Sequence, residues 1–107
     1  MIVDDEIGIR SILKNYANSL SIQSDEAQNG SHALEKVKEK VNSSCCLFYD
    51  IIFIDYFMPE LDGIQSSLMI KDVLKIFPNC NTKIVLVSGL NATEKDYINV
   101  FQAILFL

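Results

Sequence analysis

Along the 107 residues, apolar positions switch repeatedly between short continuous runs and intervals of three or four, the signature of alternating strands and helices. Ile2 and Val3 form a very short opening strand, after which Ile9, Ile12, Leu13, Tyr16 and Leu20 lie on one apolar stripe of a first helix. Residues 21–27 predict a weak second strand whose strongest apolar anchor is Ile22. "NGSHALEKVKEKV" predicts a turn at Asn29 and Gly30 and then a second helix with Ala33, Leu34, Val37 and Val41 inward and its lysines outward. In "YDIIFID" the run from Ile51 to Ile54 has no polar alternation, as expected of a third strand covered by helices on both faces. "DGIQSSLMIKDVLKIF" predicts a third helix carrying Ile64, Leu68, Val73 and Phe77, entered by a turn at Asp62 and Gly63 and ended before Pro78. "KIVLVSG" is a fourth strand, "ATEKDYINVFQ" a fourth helix capped by Asn91 or Thr93, and residues 104–107 begin a fifth strand. This order implies a parallel sheet with right-handed crossovers and helices on both sides.

Composition narrows the classes without changing the elements. A chain of this length makes one domain with a real core, burying roughly two-thirds of the surface its unfolded form exposes. Its net charge of −5 argues against a nucleic-acid surface, which needs clustered Lys and Arg, and suits a basic partner or a bound cation. No apolar run reaches the ~18 residues of a membrane span, and "MIVDDE" is too acidic for a signal peptide, so a cytoplasmic setting without membrane insertion is expected. Cys45, Cys46 and Cys80 are odd in number and lack paired metal-ligand spacing, which reads as reduced thiols.

One acidic residue has no packing reason for its position: Asp55 ends an apolar strand and is followed at once by a Met58–Pro59 bend. In an open parallel sheet, ligands collect outside the carboxyl ends of the strands where strand order reverses. Asp4 and Asp5 follow the first strand directly, so three carboxylates meet at one rim if the first and third strands are neighbours. Unit charges ~5 Å apart at an effective dielectric near 20 repel by about 3 kcal/mol per pair. Such a cluster requires a cation, and an all-oxygen donor set suits Mg2+.

"IVDDE", "NGSHALE", "FIDYFMPELDG" and "IVLVSG", in this order and at these separations, resemble the receiver domain of two-component response regulators over essentially the whole chain. The resemblance implies an α/β fold: a flavodoxin-like, doubly wound, five-stranded parallel sheet of order 2-1-3-4-5. It implies that Asp55 accepts a phosphoryl group from a phosphohistidine on a histidine kinase or histidine phosphotransfer protein. Asp4, Asp5, Asp55 and the backbone carbonyl of Phe57 match the family's Mg2+ ligands, and Ser88 its switch hydroxyl. Gly89 matches a small residue that leaves room for the phosphate, while Pro59 and Gly63 shape the loop, Gly63 by its conformational freedom. The domain so implied is a signalling acceptor, not an enzyme beyond its own phosphorylation and dephosphorylation.

The chain departs from the family at its end. The lysine expected just after the fifth strand is not reached, Phe106 or Leu107 lies near an aromatic switch position, and the final helix is missing. A receiver truncated at its C-terminal end, as in a piece of a hybrid kinase or larger regulator, is the expected reading. The alternative is a degenerate pseudo-receiver that binds partners without phosphorylation. A haloacid-dehalogenase-type phosphatase is disfavoured because Phe57 stands where that chemistry places a second aspartate as general acid. His32 and the "KVKEK" run read as solvated helix surface, the latter with local ion pairs.

Overall fold

The computed structural model describes residues 1–43 and 48–87. Its elements are β1 (Ile2–Val3), α1 (Ile7–Ser19), β2 (Glu26–Ala27), α2 (Gly30–Ser43), β3 (Ile51–Asp55), α3 (Gly63–Leu74) and β4 (Lys83–Val87). Every strand pair is parallel and the order is β2-β1-β3-β4, the first four positions of the expected sheet. The fourth helix and fifth strand, with Asn91, Thr93, Phe106 and Leu107, lie outside the described residues, as do Ser88, Gly89, Cys45 and Cys46.

The core forms where the sheet meets α2 and α3. Ile52 and Ile54 of β3, Val3 of β1, Ala27 of β2 and Ile84 of β4 are buried with Ala33 and Val37 of α2 and Ile70 and Leu74 of α3. Each fully buried isoleucine there contributes about 1.5–3 kcal/mol. Leu34 and Val41 pack at its margin, so the inward face of α2 is the one its spacing predicted. "KVKEK" is less simply solvated: the Lys40 ammonium lies 4.5 Å from the centroid of the Tyr49 ring.

On α3 the expected face is corrected in part. Val73 packs against the core as expected, but the buried residues are Gly63, Ser66, Ser67, Ile70 and Leu74, while Leu68 is exposed and Phe77 lies past the helix, edge-on to Phe48 with centroids 5.5 Å apart. The reason is the crossing with α2, where a Cβ on Gly30 would collide with the Ser66 hydroxyl. Both serines tolerate burial because their hydroxyls donate back along the helix, Ser66 to the Asp62 carbonyl at 2.8 Å and Ser67 to the Gly63 carbonyl at 2.6 Å. The start of α3 is fixed by a capping box, in which Asp62 accepts from the Gln65 amide at 2.8 Å and Gln65 from the Asp62 amide at 3.1 Å.

The second strand is also shorter than expected. Ser21 adopts φ 58°, its amide bonds the Asn18 carbonyl, and the Ile22 amide bonds the Ala17 carbonyl at 2.9 Å. This is a Schellman closure of α1. It consumes residues 20–22, leaves Ile22 exposed and delays β2 until Glu26.

Helices lie on both faces of the sheet, but among the described residues the second face is covered only in part, by α1 against β1. Alternate residues of β3 and β4, Ile51, Phe53, Val85 and Val87, are exposed, Ile51 by 44% and Phe53 by 39%. The stripe on α1 behaves alike: Ile9, Ile12 and Tyr16 are exposed, as is Leu20 beyond it, and α1 buries no residue.

Candidate functional site

The register of the sheet builds the rim. Val3 lies opposite Ile54, so the residues that follow, Asp4 and Asp55, leave β1 and β3 side by side. Carboxylate oxygens of Asp4, Asp5 and Asp55 lie within 4.8 Å of one another. Asp4 is buried at 8% exposure, Asp55 is half-buried and Asp5 faces solvent, so the cluster opens outward.

Asp4 is held on three sides. Its amide donates to the Ala27 carbonyl at 3.2 Å, its Oδ1 accepts from the Glu6 amide at 2.9 Å, and its own carbonyl accepts from Arg10 Nη1 at 2.6 Å. Asp55 Oδ1 accepts a long bond, 3.4 Å, from the Phe57 amide. The loop that follows is anchored by the buried Met58 and by the Tyr56 carbonyl, which accepts from the Gly63 amide at 2.9 Å. Tyr56 and Phe57 form an edge-on aromatic pair with centroids 4.6 Å apart.

Gly63 serves this loop differently from the expected way. Its φ is not positive; the left-handed residue is Glu60, at φ 68°. Gly63 is required for space, because a Cβ there would stand 2.5 Å from the Asp55 carbonyl oxygen and 2.9 Å from the Tyr56 Cα. The turn thus folds directly against the backbone of the strand end that carries Asp55.

Burial raises the pKa of Asp55 to about 6, assisted by the negative charge of Asp4 and opposed by the Phe57 amide. Asp4 is also pushed up, by burial first and by Asp5 among the lesser causes, against the Glu6 amide and the charge of Arg10. Carboxylates whose ionisation is penalised by one another and by desolvation make a hard-oxygen donor set that a divalent cation would relieve. Asp4, Asp5 and Asp55 can hold such an ion.

The structure therefore brings together the three aspartates singled out in the sequence, with Phe57 two residues beyond Asp55. Ser88 lies just past the last described residue of β4. His32 belongs to the start of α2, its Nδ1 accepting from the Gln28 amide at 3.3 Å, and takes no part in the rim. Lys83 opens β4 at the opposite rim. Sequence reasoning missed Arg10; its signal was a cation one turn and a half after Asp4, on a helix otherwise read only for its apolar stripe.

The sequence family of response regulator receiver domains matches residues 1–105. The transcriptional regulatory protein SrrA of Staphylococcus aureus is 39% identical over 72 residues, covering 67% of this chain and 27% of that protein. The chain thus spans about a quarter of the length of the curated relatives it matches. The receiver domain of the histidine kinase CKI1 from Arabidopsis thaliana, crystallised with Mg2+, superposes with TM-score 0.84 at 27% identity over 95% of this chain and 74% of that one. The chemotaxis protein CheY4 of Vibrio cholerae shares the fold, with TM-score 0.75 at 20% identity over 95% and 76% of the two chains. No helix among the described residues is long and apolar enough to cross a membrane.

Proposed function

The chain belongs to the response regulator receiver domain family, and we propose that it is a phosphoacceptor signalling domain whose acceptor is Asp55. The observation that carries this reading is the convergence of Asp4, Asp5 and Asp55 at the carboxyl rim of a parallel sheet, with Asp55 half-buried at a strand end. With a pKa of about 6, Asp55 is mostly ionised at neutral pH and available as a nucleophile.

In the transfer, an Asp55 carboxylate oxygen attacks the phosphorus of a phosphohistidine. The O–P bond forms as the P–N bond breaks, and the electron pair returns to the imidazole nitrogen. The donor is a histidine kinase or histidine phosphotransfer protein in the cytoplasm. Asp4, Asp5, Asp55 and the Phe57 carbonyl would hold Mg2+, which supplies charge neutralisation on the phosphoryl oxygens. Asp4 and Asp5 hold their carboxylates beside the acceptor, and the Phe57 amide orients Asp55. Ser88, which follows β4, would supply the hydroxyl that meets the new phosphate and carries the switch. Water attack on phosphorus restores Asp55, so the domain processes only its own acyl phosphate.

Labelling of the purified chain by a small phosphodonor such as phosphoramidate tests this. Wild type should label in Mg2+ and not in EDTA, Asp55→Asn should not label, and Asp5→Ala should lose the Mg2+ dependence of its melting. Undiminished labelling of Asp55→Asn sinks the assignment. Mg2+ binding by a wild type that never labels would favour a pseudo-receiver that works by association alone.

A further inference from the structure

We infer that Arg10 is a positioning residue for the acidic rim, fixing the peptide between Asp4 and Asp5 from α1 while Glu26 of β2 fixes Arg10 in turn. The inference rests on the reading of that rim as a Mg2+ site. Arg10 Nη1 donates to the Asp4 carbonyl at 2.6 Å, and its Nε lies 3.6 Å from Glu26 Oε1. The other Glu26 oxygen accepts from Lys14 Nζ at 3.0 Å. The Arg10 side chain is only 13% exposed, against 41% for Lys14, so the guanidinium is the inner member of this network.

On charge alone, Arg10 is out of place. A fixed cation beside carboxylates that collect a cation competes with the ion and weakens its binding. Yet Arg10 makes its short bond to backbone, and the described salt bridge it forms is with Glu26 rather than with a rim carboxylate. Glu26, shared with Lys14, offsets only part of this charge and the remainder still reaches Asp4, so what Arg10 adds beyond charge is geometry. The carbonyl it holds belongs to the peptide plane that leads into Asp5, the exposed member of the rim. With Asp4 already pinned through its amide and side chain, this bond removes the remaining rotation that would swing Asp5 away. The planar guanidinium donates to the carbonyl from Nη1 while its Nε faces Glu26 as an ion pair at 3.6 Å, an arrangement a lysine ammonium cannot make in the same way.

The test is calorimetric titration of Mg2+ into the full 107-residue chain as wild type, Arg10→Ala and Arg10→Lys, with urea unfolding in EDTA to confirm folding. Groups that orient metal ligands from behind typically change affinity by ten- to a hundredfold, so the Kd should rise about tenfold in Arg10→Ala. Arg10→Lys keeps the charge and should still weaken binding, by about threefold on the same scale. The Mg2+ concentration for half-maximal phosphoramidate labelling should shift in parallel, while the labelling rate at saturating Mg2+ stays near wild type. A Kd that is unchanged or lower in Arg10→Ala overturns the inference, since a bystander cation would improve binding when removed. If Arg10→Ala does not fold, Arg10→Lys decides, and an unchanged Kd there overturns it. Absence of Mg2+ binding by wild type would instead overturn the reading of the rim itself.

Discussion

Replacing Asp55 with asparagine should make the metal-free protein more stable at neutral pH, and the advantage should vanish in acid. The side chain keeps its shape and loses its charge. Asp55 titrates near 6 in the folded protein against an ordinary 3.8, first because burial penalises its charge and then because Asp4 repels it. A folded pKa above the unfolded one means that the native state holds its proton more tightly, so ionisation costs stability as pH rises through this window. The cost is complete above about pH 6 and gone below 3.8. Fully transmitted, the difference corresponds to about 3 kcal/mol. Because the rim opens to water, screening reduces this to ~1 kcal/mol. Urea unfolding in EDTA should therefore show Asp55→Asn more stable by that amount at pH 7.5, or ~4–8 °C in Tm for a domain of this size. Most of the gap should close by pH 4. In Mg2+ at ten times its Kd, wild type should recover ~1.4 kcal/mol that the variant does not gain in full. A variant no more stable than wild type at pH 7.5, or equally favoured at pH 4, would show that the rim carboxylates do not strain one another.

Gly63→Ala should cost ~1–3 kcal/mol, because the new methyl meets the Asp55 carbonyl and the Tyr56 Cα, backbone atoms that cannot step aside cheaply; an unchanged urea midpoint would refute the close approach. Ser21→Gly should stabilise by ~0.5 kcal/mol, since glycine removes the left-handed penalty at φ 58° while adding chain entropy to the unfolded state; a lower thermal midpoint would contradict the Schellman geometry at the end of α1.

The alternation of elements and the three aspartates were legible because each depends on local signals: apolar period for the strands and helices, and a charged residue at a strand end for the rim. What escaped depends on partners distant in sequence. Of the positions read for the face of α3, Val73 meets the core but Leu68 does not, because the crossing selects for smallness and places Gly30 against Ser66. The onset of β2 was lost to a backbone closure that requires a left-handed serine, a residue that does not advertise that conformation. Gly63 was noticed for the wrong property, since an unusual φ and a crowded Cβ both favour glycine in a loop. Continuous apolar residues in β3 suggested two covered faces, yet the run carries no information about which element covers the second. Arg10 left only the faint signal of a cation shortly after Asp4, since its acceptor is a backbone carbonyl.

β1 has two residues, yet among the described residues it is the strand that joins β2 to the β3–β4 pair. Ile2 reaches forward to Glu26 on one side and to Phe53 on the other, so its ladders close loops of very different length, the second spanning about half the chain. Non-local parallel pairing of this kind is the slow part of assembly, because loop closure precedes any reward. No partly folded chain in which β1 is still outside the sheet can present Asp4 and Asp5 to Asp55. On the proposed reading of the rim, competence to take up a phosphoryl group would thereby be tied to the completed sheet.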